Sequence, residues 1–212
     1  MLIPKRLSII YCLVLLFLVI FPVYAAEQDI ELTQAREIFL QGVDGDKRAV
    51  RQAVKRFTEL SHRHPGDPVY LAYLGASMTL QGRDASKGSE KQRLTINGLG
   101  KIDRALKLLS DNEQIPVHRR LDTQLVAANS FMYIPSFFNR YERGKHLLRD
   151  ILDHEGFEDM AAGFKAAAFF TAAIVARGNE NNSEYRRYLK LTVETAPDGR
   201  EGVFAKELLE EQ

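Results

Sequence analysis

The stretch Ala53-Val54-Lys55-Arg56-Phe57-Thr58-Glu59-Leu60-Ser61-His62-Arg63-His64-Pro65-Gly66-Asp67-Pro68-Val69-Tyr70-Leu71-Ala72-Tyr73-Leu74-Gly75-Ala76 decides the fold. Its first half carries apolar residues at intervals of three and four (Val50, Ala53, Val54, Phe57, Leu60), the period of one face of an α-helix. Pro65 ends that helix. Asp67-Pro68 starts the next, with a side-chain acceptor at the N-cap and a proline in the first turn, where no N–H is needed. The second helix then carries a small cluster, Leu74-Gly75-Ala76, of the kind that lets two helix backbones approach.

Outward from this stretch the same period recurs. Leu99, Ile102, Ala105, Leu106 and Leu109 form one stripe, and Tyr185, Tyr188, Leu189 and Val193 form another. No segment combines period-two alternation with a richness in Val, Ile and Thr. The chain therefore reads as all-α, with helices over roughly 31–41, 45–63, 68–81, 91–110, 117–133, 136–153, 159–177, 181–196 and 200–210. Gly42, Gly82 and Gly178 follow helical stripes, as C-cap glycines do. Asp198 with Glu201 has the spacing of a capping box. Arg83 to Lys91, polar and holding Ser86, Gly88 and Ser89, reads as a longer loop or an insertion. The other connections are short, so consecutive helices are expected to pack antiparallel.

Lys5 and Arg6 precede an apolar run from Leu7 to about Phe21, which Pro22-Val23-Tyr24-Ala25-Ala26 follows. This is the pattern of a secretory signal peptide, with the cut expected after Ala25. Residues 1–25 are then the signal peptide and 26–212 a single helical-repeat domain, periplasmic or secreted. The alternative is an uncleaved inner-membrane anchor, since the run approaches the length that spans a bilayer. Cys12, the chain's one cysteine, leaves with the signal, which suits an oxidising compartment. Lys+Arg number 29 and Asp+Glu 28, so no net field favours nucleic acid. An intact mass retaining Met1–Ala25, with the protein held in the membrane, would support the anchor instead.

Small residues mark successive first helices at Leu74-Gly75-Ala76, at Ala127-Ala128 and at Ala166-Ala167-Ala168 with Ala172-Ala173. Ala53, Phe57 and Pro65, spaced by four and eight, together with Leu74-Gly75 and Gly82, resemble the tetratricopeptide repeat family, whose unit is a helix–turn–helix of about 34 residues. Leu71 stands where that family usually has an aromatic. The chain is also similar to exported bacterial repeat proteins with a Pro-x-Phe-Phe turn, here Pro135-Ser136-Phe137-Phe138. The resemblance implies a right-handed stack of about four antiparallel helix pairs, an α-solenoid, and a role in binding peptides or protein surfaces. The alternative is an irregular helical bundle.

No pattern selects a catalytic set, a cofactor or a metal. His62 and His64 stand at i and i+2, which do not share a helix face. Gly98-Leu99-Gly100 lacks the third glycine of a dinucleotide fingerprint and reads as a start, kink or close contact of a helix. Glu155, Glu158 and Asp159 sit where acids complement a helix start. Lys47, Arg48, Arg51, Lys55, Arg56 and Arg63 make one helix basic outside its apolar stripe, either as a solvated face or for an anionic partner or membrane surface.

The most informative region lies around Pro135. Phe131, Tyr133, Phe137, Phe138 and Tyr141 fall close together beside Asn129, Asn139 and Arg140. Aromatics with arginine make binding hot spots, while helical aromatic stripes are also core. Tyr70, Tyr73, Asn129, Tyr133, Phe137, Phe138, Asn139 and Arg140 are the candidate partner contacts, with Arg140 offering a planar fork to a carboxylate or stacking on an aromatic. The expected function is a periplasmic helical-repeat adaptor that binds a protein partner in an envelope transport or assembly system. An exported ligand-binding accessory of a transporter and an envelope hydrolase on a helical scaffold are the alternatives.

Overall fold

A computed structural model describes residues 30–211; the signal peptide expected over residues 1–25 lies outside the described residues. Among these residues there are nine α-helices and no strands. The first, α1, covers 30–43. It is followed by α2 (Lys47–Arg63), α3 (Pro68–Asp84), α4 (Gly88–Asp111), α5 (Val117–Tyr133), α6 (Tyr141–Leu152), α7 (Ala162–Gly178), α8 (Asn182–Thr195) and α9 (Arg200–Glu210). Single 3₁₀ turns, Ser136–Phe138 and Glu155–Phe157, precede α6 and α7. Within the described residues no helix is long and apolar enough to cross a membrane.

The periodic stripes are the buried faces. Ala53, Phe57 and Leu60 of α2 are buried against Tyr70 and Tyr73 of α3, with Leu32 and Ala35 of α1 in the same core, while Val50 is buried beside Gly42 at the end of α1. Leu99 and Ile102 of α4 meet Ala127 and Phe131 of α5. Leu121, Leu125 and Ala128 of α5 pack with Leu148 and Ile151 of α6 and Ala168 and Ala172 of α7. Ala173 and Ala176 of α7 close on Tyr185 and Leu189 of α8 and Ala205 of α9. The core is thus a succession of clusters laid along the chain.

The helix starts follow from capping chemistry. The Asp67 carboxylate accepts from the Val69 N–H at the head of α3, with Pro68 beside it, as the sequence implies. Asp46 does the same for α2, accepting from the N–H groups of Arg48 and Ala49. The capping box expected of Asp198 and Glu201 does not form: the N-cap of α9 is Gly199, with no side-chain cap bond.

The longer loop expected at Arg83–Lys91 is absent, and Gly82 is no C-cap. Helix α3 continues to Asp84, and α4 starts at Gly88. The reason is close packing. A Cβ on Gly82 would stand 2.6 Å from Thr95 Oγ1 and 3.0 Å from the Lys91 carbonyl oxygen. Deeper along the same contact, a Cβ on Gly75 would lie 2.5 Å from the Gly98 carbonyl oxygen, and one on Gly98 would lie 2.5 Å from that of Gly75. Gly98 is therefore the close contact among the readings of Gly98-Leu99-Gly100. Neither Gly42 nor Gly178 takes a left-handed conformation; the positive-φ positions after α1 and α7 are Gly45 and Glu180. Gly75→Ala is expected to cost about 1–3 kcal/mol, because the facing atom is backbone that must shift. A denaturation midpoint equal to the wild type would show that α3 and α4 are not in this contact.

Two further boundaries move. Residues 136–140 do not extend α6: Asn139 takes a left-handed conformation (φ 52°) after the 3₁₀ turn, which a short polar side chain tolerates. Helix α7 begins at Ala162 rather than near Asp159. Glu158, ahead of it, pairs with Lys165 at 3.1 Å.

Candidate functional site

The residues around Pro135 form a corner between α5 and α6, and the corner has an inner and an outer side. Pro116 caps α5 at one end, and at the other the chain turns extended at Ile134 (ψ 158°), as a residue before proline does. The 3₁₀ turn then brings the Phe138 N–H to the Pro135 carbonyl at 3.1 Å and the Asn139 N–H to that of Ser136 at 2.8 Å. Phe138 lies half-buried against the cluster of Leu99, Ile102, Ala127 and Phe131. Phe137 stays outside, 71% exposed, with its ring centroid 4.3 Å from that of Phe138. Tyr133 is 68% exposed and Tyr141 is exposed at the head of α6.

The arginine of the corner already has its partners. Arg140 holds Asp103 of α4 with both arms of its fork, at 3.1 and 2.8 Å. It also stands 5.4 Å from the centre of the Phe131 ring. Arg143 of α6 reaches the same carboxylate and the same ring, at 5.0 Å from its centre. The fork and the stacking expected of Arg140 both exist, but they act within the chain and brace the corner against α4. Asn139 is exposed, and Asn129 accepts a hydrogen bond from the Thr171 hydroxyl of α7 at 3.0 Å.

Tyr133 combines two properties that seldom coincide. Most of its surface is open, yet surrounding protein pushes its hydroxyl pKa up, while Arg177 and Arg200 pull it down. The Tyr141 hydroxyl comes 3.6 Å from where a Cβ on Gly178 would stand, which sets the end of α7 beside the head of α6. Arg200, at the head of α9, lies over the Phe204 ring at 5.1 Å and is paired with Asp44 of the α1–α2 turn.

Tyr70 and Tyr73 do not join this corner. Both are buried in the first core cluster. Tyr73 stacks on Phe57, centroids 4.9 Å apart and planes 9° from parallel, and meets Phe39 edge-on at 5.3 Å. Its hydroxyl donates to Asp122 of α5 at 3.4 Å, and Arg36 of α1 pairs with the same carboxylate. Arg36 also lies 5.5 Å from the centre of the Tyr73 ring. Burial pushes the Asp122 carboxyl above its ordinary range, against the pull of Arg36, and burial likewise raises the Tyr73 hydroxyl. Beside it, Arg119 stands over the Tyr70 ring at 5.7 Å and 3.7 Å from Asp67. This polar knot ties α1, α3 and α5 together. Sequence reading missed Arg36, Asp103, Asp122 and Arg143, because each meets its partner on another helix. Among the described residues no group of three or more His, Cys, Asp or Glu side chains is placed to hold a metal ion.

The chain matches no family model, no curated protein and no solved structure.

Proposed function

We propose that the chain is an exported helical-repeat adaptor of the cell envelope, not an enzyme, which holds a protein partner through the exposed aromatics of the α5–α6 corner. The observation that carries this reading is the pair Tyr133 and Phe137. Two large aromatic side chains stand open to solvent on a turn whose backbone is fixed from behind by Phe138 and by the Arg140–Asp103 fork. An aromatic on a rigid support loses little conformational freedom on binding, which is what makes a hot spot. Tyr141, exposed at the head of α6, adds a third aromatic to the same corner.

The solenoid reading has support of its own. Helices α1 to α8 are taken as four pairs. Contacts within the pairs α3–α4, α5–α6 and α7–α8 are joined by contacts between successive first helices, α3 with α5, α5 with α7, and α7 with α9. Gly75 faces Gly98 and Ile102, while Gly82, farther along α3, faces Thr95 and Lys91, as antiparallel partners would. A stack of this kind makes the extended surfaces on which repeat proteins bind their partners.

The test separates the two phenylalanines. A photo-reactive phenylalanine analogue at position 137 should give a discrete protein adduct in envelope fractions. With that partner in hand, Phe137→Ala and Tyr133→Ala should each weaken binding at least roughly tenfold, as central aromatic truncations do. Neither should move the melting temperature. Phe138→Ala should instead cost about 2 kcal/mol of stability, since its ring is half-buried in the core. Arg140→Ala should cost about 1 kcal/mol through the lost Asp103 pair and leave binding intact. If Phe137→Ala and Tyr133→Ala act only on stability, the corner is not the interface.

A further inference from the structure

The outer face of α2 concentrates cations that form no ion pair among the described residues, with the Asp46 carboxylate at the helix head as a nearby opposing charge. Lys47, Arg48, Arg51 and Lys55 are all exposed. At 100° per residue they fall within about 100° of arc and along about 12 Å of helix, with His62 on the same arc. That arc is opposite the stripe of Val50, Ala53, Phe57 and Leu60 that α2 buries. None of the four cations is within ion-pair distance of a carboxylate among the described residues.

Elsewhere surface cations often sit beside an acid: Lys107 with Asp111 at 2.8 Å, Lys145 with Glu142 at 2.9 Å, Arg187 with Glu184 at 2.7 Å. Arg56 and Arg63, at the edge of the same helix, share Glu31. The acids near the outer face are engaged differently. Asp46 caps the helix through its carboxylate, Glu59 leans to Arg56 at 3.7 Å, and Asp44 is paired with Arg200. At the far end of the chain Glu207, Glu210 and Glu211 are exposed. The protein is nearly neutral as a whole but carries its cations and these acids on different elements.

We infer that the outer face of α2 rests on an anionic lipid surface, with Lys47, Arg48, Arg51 and Lys55 meeting phosphate headgroups. Three features favour lipid over an acidic protein. The four cations are interleaved with no exposed aromatic or large aliphatic side chain, so the face lacks the apolar centre from which protein interfaces draw their energy. The lysine ammonium heads are flexible point charges and the arginine forks match phosphate oxygens, so both suit an array of phosphate headgroups. The acids of α9 would be repelled by the same surface, which orients the molecule with α2 toward the lipid. This contact uses none of the aromatics of the α5–α6 corner, so either interface can exist without the other.

The experiment is co-sedimentation of the purified protein with vesicles of phosphatidylcholine alone and with about one-third phosphatidylglycerol. At low salt the protein should pellet with the anionic vesicles and stay in solution with the neutral ones. Raising the salt to about 0.5 M should release it. The triple variant Lys47→Glu, Arg51→Glu, Lys55→Glu should lose at least roughly thirtyfold in partitioning, each cation near the surface contributing to affinity. Its helical circular dichroism and melting temperature should match the wild type, because all three side chains are exposed. A control with the same change of charge elsewhere, Arg149→Glu, Lys190→Glu, Lys206→Glu, should keep most of the binding. Failure of the wild type to pellet with anionic vesicles overturns the inference, as does equal loss in the two triple variants. Binding to soluble poly-glutamate that depends on α2, without binding to vesicles, would assign the face to an acidic protein segment instead.

Discussion

Asp122→Ala should lower the stability of the fold by about 2–4 kcal/mol, somewhat below the range for a fully buried ion pair because the Arg36 side chain is 36% exposed. The size follows from what the carboxylate leaves behind. Asp122 is 7% exposed on α5, where it accepts from the Tyr73 hydroxyl and pairs with Arg36. Without it, a partly buried guanidinium loses its counter-charge and a buried hydroxyl loses its acceptor. Burial holds the carboxyl above its ordinary pKa, so the folded state takes up the proton more readily than the unfolded chain. Protonation at this site therefore favours the folded state, and mild acid should not unfold the protein through Asp122. Urea denaturation of Asp122→Ala and of Asp122→Leu checks the account. The leucine variant removes the charge and fills part of the space, yet it still strands Arg36, so it should also be destabilised. The double variant Arg36→Met, Asp122→Leu should recover much of the loss, because an apolar pair can replace a buried ionic one. If Asp122→Ala denatures at the wild-type midpoint, the three helices are not joined through this residue.

Phe57→Ala should cost about 3–5 kcal/mol, as truncation of a buried phenylalanine does when the site cannot collapse. Phe57 is 0% exposed, and its ring stacks on Tyr73. Its replacement opens a void between α2 and α3. The same substitution removes the ring that positions the hydroxyl reaching Asp122. Phe57→Ala and Asp122→Ala therefore act on one cluster through Tyr73, and the double variant should lose less than the two single losses added together. Additive losses would show that the stack and the ionic knot are independent.

The helices were legible because their periodicity is a direct record of burial: the stripe from Val50 to Leu60 is a stripe only because one side of α2 faces the core. Asp67-Pro68 was legible because a cap is a local bond, complete within three residues. Gly82 misled for the converse reason. A glycine followed by polar residues has the composition of a helix end, and only the presence of α4 reveals that its missing side chain serves a close contact within the last turn of α3. Tyr73 and Asp122 meet across 49 positions, a distance over which no periodic pattern carries information. Arg140 is the intermediate case. Its chemistry announced a carboxylate and an aromatic ring, and the fold supplies both from within, as Asp103 and Phe131. Phe137 and Phe138 were indistinguishable in sequence because a 3₁₀ turn, unlike a helix or a strand, sets no fixed inside and outside.

The pair between Asp44 and Arg200 joins positions 156 residues apart. In an array of helices that touch only their neighbours, each end opens by itself, and amide protons there exchange in separate local events. A half-exposed ion pair from the α1–α2 turn to the head of α9 couples those two openings by at most about 1 kcal/mol, so protection at one terminus responds slightly to the integrity of the other. Because the link is electrostatic and partly open to solvent, dissolved ions weaken it. Raising the ionic strength then loosens the tie between the two ends.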